Sequence, residues 1–569
     1  MIYFCYGSVY SNREGIYVMS DDTKNAVHYK EPKDLKNILI PTAVTAVFGF
    51  ISYYLALPAI NVFNVGFWIW ILFLAFTFCI SAFAAGRTTS GEIKKAKYIV
   101  GELKVSTIIM LACIAALFLG VLSSAKIFNA KRYAGLIHVE TAAFEEDMPE
   151  TTNVSNIALM DTASASIIGN RTLGSLSSVV SQFEINSQYS QINYQNTPKK
   201  VANLEYAGFI KWMQNRKNGI PGMVMVDPLN NSAEYVEFAK TMKYADSAFL
   251  GKDLKRALRF SYPTKIFGKV FFEVDDNGTP YYIASCMKPH AGLFGAMDVN
   301  EVVIFNPCDG SSELYKLKDV PSWVDIVFDG DLASDKYNWY GTLSGGFFNS
   351  IFGNKNCKRA TDDYGYIVRD DDVWYFTGVT SVNKDESNIG FILTNARTGE
   401  YKFYSVIGAE EYSAMHAAEG EVQEKGYTAS FPSLINVNGQ ATYIMVLKDS
   451  GGLVKRYALV NVEKYSLVAT GVTQQEAMNA YKKRLVEDNL LIPDESMYQT
   501  VSVRVTDVRM ISVDNIPTVY VTAENGKVYK GYLNTDESLV LIREGDSLEI
   551  QAERTDIDDI LLIRAWKRK

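Results

Sequence analysis

Three uncharged apolar runs occupy the first quarter of the chain: Ile38 to Leu57, Phe67 to Ala85 and Val105 to Ser124. Each has about the length that a helix needs to cross the hydrocarbon core, roughly 20 residues. A helix buried in a large soluble protein can be equally apolar. Three such runs in quick succession, with almost no charge between them, favour the membrane instead. Inside a bilayer each run must satisfy its own backbone hydrogen bonds, so each is expected to be helical. Pro41 near the start of the first run and Pro58 just past its end are tolerable places for a residue without an amide proton. Trp68 and Trp70 sit near one end of the second, where indoles favour the headgroup zone.

The flanks set an orientation. Arg13, Lys24, Lys30, Lys33 and Lys36 precede the first run, and Arg87, Lys94, Lys95, Lys97 and Lys104 lie between the second and third. The link from Pro58 to Gly66 has no charge. Basic flanks stay in the cytoplasm, which places the N-terminus inside and everything after the third run outside. Lys126, Lys131 and Arg132 oppose that reading locally. No cleavable signal peptide is expected, because the chain opens on a polar segment.

Beyond the runs the pattern changes period. Residues 1–36 read as a small cytoplasmic segment with short alternating pieces, and 37–125 as the membrane block. Residues 126–199 read as a polar stalk or connector, whose part from Ala142 to Pro198, rich in Ser, Thr, Asn and Gln, partly folds onto the domain beyond it. Lys200 to Arg216 reads as helix, with Leu204, Phe209 and Trp212-Met213 near helical spacing, and GMVMVDP after it as strand.

Between Lys269 and Leu485 one pattern occurs three times: a strand, a turn, an aromatic strand, a loop and a second hairpin. The aromatic positions are Tyr281-Tyr282, Trp374-Tyr375 and Tyr443, and the first turns hold Asp276-Asn277-Gly278, Arg369 to Asp372 and Asn436 to Gly439. Copies two and three each end in a polar helical stretch, the last opening with a capping box at Thr473 and Glu476. Residues 200–490 are thus expected to be an α+β region of repeated hairpins and helices. Residues 499–569 alternate as a small OB- or SH3-like β-barrel.

The repeats resemble PepSY-type modules, whose second hairpin carries a turn like Thr398-Gly399-Glu400; copy one has Asp309-Gly310 there and copy three lacks it. The layout also looks like that of large membrane-anchored proteins of Gram-positive bacteria. That resemblance implies an envelope location and interaction or inhibition roles, and brings no catalytic residues.

Composition narrows the partners. Residues 126–569 hold 46 basic and 57 acidic side chains, a net of −11, which disfavours nucleic acid or anionic lipid as the main partner. Of six cysteines only Cys286, Cys308 and Cys357 follow the apolar runs. An odd number excludes a disulfide scaffold, and on separation Cys286 with Cys308 is the expected pair if any forms. No nucleophile elbow, phosphate loop or zinc-protease motif stands in its required context, and no cofactor or metal is implied. Asp329, Asp331 and Asp335 alternate, but Ala333 falls where an EF-hand needs a ligand. Three exported histidines, His138, His290 and His416, lie in separate segments.

The candidate binding stretch is Val320 to Phe352, which combines Trp323, Tyr337, Trp339, Tyr340, Phe347 and Phe348 with several glycines. Such rings can stack on sugar, grip a peptide or dip into a bilayer surface, or simply complete a core. The reading that results is a non-enzymatic, multi-pass envelope protein binding another envelope protein or a cell-wall polymer. The alternative is an envelope hydrolase using carboxylates such as Asp325 or Asp329.

Overall fold

The computed structural model describes residues 9–12, 15–18, 27–29, 35–87, 92–152, 154, 157–369, 371–382, 387–488, 490–491, 498–513, 516–533, 536–554 and 560–569. Cys5 and four of the basic residues behind the expected orientation, Arg13, Lys24, Lys30 and Lys33, lie outside the described residues. Three short N-terminal strands, Val9–Asn12, Gly15–Val18 and Val27–Tyr29, pair antiparallel.

The apolar runs are helices α1 (Leu35–Ala56), α2 (Val65–Arg87) and α3 (Glu92–Ser124). All three are long and apolar enough to cross a membrane. Helix α4 (Lys126–Ala134) comes at once after them, and a strap of one strand, Val139–Ala142, and a single helical turn, α5 (Phe144–Asp147), leads onward.

The region after the strap contains four sheets, one more than the repeat pattern predicts. In the first, Phe183–Ile185 and Ser190–Tyr194 both pair with Thr197–Tyr206, which continues through Ile220–Asp227 to Ser232–Met242. Residues 183–194 are therefore sheet strands, not part of a stalk. The helix expected over 200–216 is strand to Tyr206, and only α7 (Phe209–Asn215) is helical. Burial of the strand on both faces, with Val201 on one and Ala202, Leu204 and Tyr206 on the other, won over the helical spacing there. The second sheet is a meander of Ile266–Val274, Pro280–Ala291, Gly295–Phe305 and Ser312–Lys316. The third pairs Lys358–Ala360 and Gly365–Arg369 with Asp372–Ser381, then adds Ser387–Asn395 and Tyr401–Tyr404. The fourth pairs Thr428–Ala429 and Ser433–Val437 with Gln440–Lys448, then Val454–Asn461.

Helices precede their sheets. Helix α6 (Thr162–Gly174) packs on the first sheet and α8 (Leu254–Ser261) comes before the second. Helix α9 (Gly330–Leu343) packs on the third and α10 (Glu411–Glu421) on the fourth. The polar stretch at the end of copy two is thus the opening helix of copy three.

An aspartate or asparagine marks the same place four times. Asp227, Asn306, Asn395 and Asn461 end or directly follow the third long strand of each module, and each side chain accepts from backbone amides in the turn. The donors are Leu229, Cys308, Arg397 and Lys464, at 2.8–2.9 Å. The first three are Asx turns and the fourth reaches one residue further, and each closes its hairpin without help from outside the module.

Strand alternation feeds a core on each side of each sheet. Sheets one and two share a core of Val201, Leu204, Met223, Val224, Phe272 and Tyr282. Sheets three and four share another, with Trp374, Phe376, Tyr404, Tyr443, Met445 and Val460, closed by Ala414 and Ala418 of α10. On the opposite face of sheet three, Val373 and Tyr375 pack with Ala333 of α9.

Two joints tie this region to the apolar helices. Arg259 Nε of α8 donates to the Leu57 carbonyl at 2.9 Å, Ile60 N donates to the Pro263 carbonyl at 2.8 Å, and Asn61 Nδ2 donates to the Thr264 carbonyl at 2.9 Å. At the end of α3, Phe294 N donates to Ser124 Oγ at 2.8 Å and Tyr133 Oη to the Ser124 carbonyl at 2.9 Å. Gly120 lies so near the Phe294 ring that a Cβ there would meet it at 2.2 Å. The link between α1 and α2 and the exit of α3 therefore face the same region of the protein.

A second compact unit, residues 469–471 and 476–569, contains most of helix α11 (Gln474–Glu487) and five strands whose pairings close into a barrel. Tyr498–Val513 serves two neighbours, pairing through its first half with Ser547–Arg554 and through its second with Ile516–Ala523. Val528–Tyr532 and Ile560–Arg568 complete the ring in parallel. Val505, Val519, Tyr529, Leu548 and Ile550 fill it. Within the stretch expected to alternate as barrel strands, Glu537–Leu541 is a 3-10 turn.

Candidate binding surface and buried carboxylates

Five of the six aromatics expected to form one surface are divided among three cores, and the sixth, Phe348, is exposed. Trp323 lies against Tyr281, ring centroids 4.9 Å apart, beside Val324, Val327 and Phe328. Tyr337 and Tyr340 pack with Val379, Ile392 and Tyr401 of the third sheet. Trp339 meets Tyr133 of α4 edge-on at 5.1 Å, and Phe347 joins that cluster with Leu343. Tyr337 is 2% exposed, whereas Phe348 is 64% exposed.

Helix α9 causes the split. Asp329 caps its first turn by accepting from Leu332 N at 3.2 Å. Positions three and four apart then share a face, which turns Ala333, Lys336, Tyr337 and Tyr340 inward. The helix approaches Lys358 so closely that a Cβ on Gly341 would stand 2.3 Å from the Lys358 carbonyl oxygen. Past Leu343 the chain leaves the sheet in a π-helical turn, Asn349–Gly353, that exposes Ile351 and Phe352. Sequence reasoning missed those two, although FFNSIF is apolar at both ends of a polar pair.

Neither proposed carboxylate is poised for hydrolysis. Asp325 is buried and its Oδ2 accepts from Asn193 N at 2.9 Å. Glu273, fully buried and not singled out by the sequence, accepts from the amides of Asp325 and Ile326 at 2.8 and 2.9 Å. Burial pushes both carboxyls up, and Glu273 beside Asp325 adds to it. Asp329 is held by its cap and by Lys269 at 3.2 Å, which also bonds Asp331. His138, His290 and His416 are exposed on separate elements. No cluster of three potential metal ligands occurs among the described residues.

The expected Cys286–Cys308 disulfide is absent, and both are free thiols. Cys286 pairs in register with Glu301, while Cys308 lies beyond Phe305, which pairs with Tyr282. Those levels are four residues apart, roughly 13 Å along the strand, too far for the 7 Å limit between bridged Cα atoms. Instead Cys308 Sγ donates to the Lys240 carbonyl at 3.0 Å, and burial pushes the Cys286 thiol up to about 12.

Comparison with models of known protein families and with curated proteins gives no match.

The Glu273–Asp325 pair makes a pH prediction. A carboxyl raised by folding stabilises the fold least where the unfolded chain is ionised and the folded one resists ionisation. The cost therefore grows as pH rises above about 4 toward the raised folded values. Asp325→Asn removes one of the two charges. Its melting temperature relative to the parent is expected to rise between pH 5 and pH 8; a difference that stays flat with pH would show that the pair does not titrate.

Proposed function

We propose that this protein is a membrane-anchored, non-enzymatic envelope scaffold, with its sheets and barrel on the extracytoplasmic side, that engages a protein or polymer partner. The observation that carries the reading is the pair of joints between spans and sheets. Hydrogen bonds from α8 to the α1–α2 link and from the 291–295 hairpin to the exit of α3 make anchor and modules continuous. A tethered enzyme on a loose stalk has no need of them. The four helix-then-sheet modules, each with an Asp or Asn side chain closing its hairpin turn, support the PepSY-like reading, and the ring of strands after Tyr498 supports an OB- or SH3-like one. The buried carboxyls Glu273 and Asp325 are held by backbone amides, not arranged around a nucleophile.

Intact cells treated with external protease test the orientation, and in-cell cross-linking followed by purification tests the partner. Loss of the region after Lys126 together with capture of one defined envelope component is the expected result. Protection of that region until lysis would overturn the placement, and unchanged cross-linking profiles after loss of the sheet modules would overturn the scaffold.

A further inference from the structure

We propose that the sheet region carries a second membrane contact besides the spans: two exposed apolar edges that seat in the headgroup layer where the spans emerge. This rests on the membrane reading of α1–α3 and goes beyond the scaffold role.

The first edge is α7 with the turn before α8. Phe209 is 47% exposed, Ile210 67%, Met213 48% and Leu250 59%. Phe249 holds them together, 5.0 Å from Phe209 and 5.4 Å from Trp212. Arg256 fixes this edge to the membrane block: its Nη1 donates to the Leu250 carbonyl at 2.6 Å, and its Nε to the Tyr54 carbonyl at 3.3 Å near the end of α1. The Arg256 guanidinium also stacks on Tyr54 at 4.1 Å.

The second edge begins where α3 ends. Phe128 of α4, one turn past Ser124, is 67% exposed. The cluster of Tyr133, Ala134, Trp339 and Phe347 joins α4 to the end of α9. From there the chain enters the turn that exposes Phe348 and, at 80%, Phe352.

Exposed single apolar residues are ordinary on soluble proteins, but these are grouped, and each group adjoins a span exit. The edges lie on separate elements, the first on α7 and the turn before α8, the second on α4 and the turn after α9. Lys211, Arg216 and Lys217 accompany the first edge, and Lys126, Lys131 and Lys355 the second. Apolar side chains with lysine and arginine beside them suit the boundary between acyl chains and phosphates. The overall negative charge of the region does not oppose this, because charges more than about 10 Å away are largely screened in salt.

The test uses the full chain in vesicles of equal parts phosphatidylcholine and phosphatidylglycerol. A photoactivatable p-benzoylphenylalanine stands in place of Phe352, of Ile210 or, as the span reference, of Leu119. After irradiation, adducts of lipid mass at all three positions are the expected result. Adducts at 119 but none at 352 and 210 would overturn the second contact while leaving the spans intact. Adducts to protein at 352 would likewise overturn it, and assign the edge to a partner. No lipid adduct at 119 would overturn the membrane reading itself. Both tested edge positions are exposed, so the substitution leaves the cores untouched.

Discussion

Lys336→Ala is expected to destabilise the sheet region by about 3–5 kcal/mol, the usual cost of stranding a buried charge. Lys336 lies on α9, its side chain 4% exposed, and its Nζ donates to Asp298 Oδ1 at 2.8 Å. Asp298 belongs to the second sheet, whereas α9 packs on the third, so the pair stitches two modules together. The ammonium also sits 4.7 Å from the centre of the Phe328 ring. Alanine would leave the Asp298 carboxylate buried with only the Val299 amide, 2.8 Å away, to satisfy it. Lys336→Met with Asp298→Leu removes both charges and is expected to recover most of the loss, since apolar replacements of a buried pair are often near neutral. Thermal unfolding of the detergent-solubilised chain measures both. Equal melting temperatures for the parent and the single variant would refute the stitch.

Asp147→Ala is expected to cost about 3 kcal/mol at neutral pH, because it removes several charge-assisted hydrogen bonds at once. Asp147 ends α5 in the strap after the last span. It accepts from Arg369 Nη1 and Nη2 at 2.9 and 3.1 Å, from Lys402 Nζ at 3.3 Å, and from the Tyr404 hydroxyl. The strap strand Val139–Ala142 pairs in parallel with Tyr401–Tyr404, so the carboxylate pins the strap onto the third sheet. Hydrogen bonds from Arg369 hold the Asp147 carboxyl well below the usual range. A carboxyl lowered by folding contributes fully above its unfolded value, near 3.9, and loses that contribution as pH falls below it. The gap between parent and variant should thus be widest at pH 7 and narrow below about pH 4. Hydrogen exchange of residues 139–142 gives a local check: protection unchanged in the variant would show that the pin does not hold the strap.

Much of this architecture was legible in the chain. Long apolar runs specify helices wherever backbone groups cannot reach water, so the three apolar helices needed no tertiary information. Period-two alternation and Asx or glycine turns likewise marked the hairpins of sheets two to four. The first sheet was missed because its first turn, Gln195-Asn196, falls in a polar stretch that reads as linker. Its second hairpin carried the clue in Asp227-Pro228-Leu229-Asn230, which matches Asn306-Pro307-Cys308-Asp309.

The site was far less legible. An aromatic-rich stretch looks the same whether its rings cover a ligand or a core, because hydrophobicity has no direction until a helix is docked. Docking α9 onto the third sheet sent Tyr337 inward and left Phe348 and Phe352 outside. The sequence by itself determined where the chain is apolar enough to enter a membrane and which residues close its turns, since both depend on neighbours along the chain. Only the tertiary structure decided that Lys336 meets Asp298, that Asp147 meets Arg369, and that two apolar edges lie near the ends of the apolar helices. Each of those depends on residues far apart in sequence, brought together when sheets bury their faces against one another.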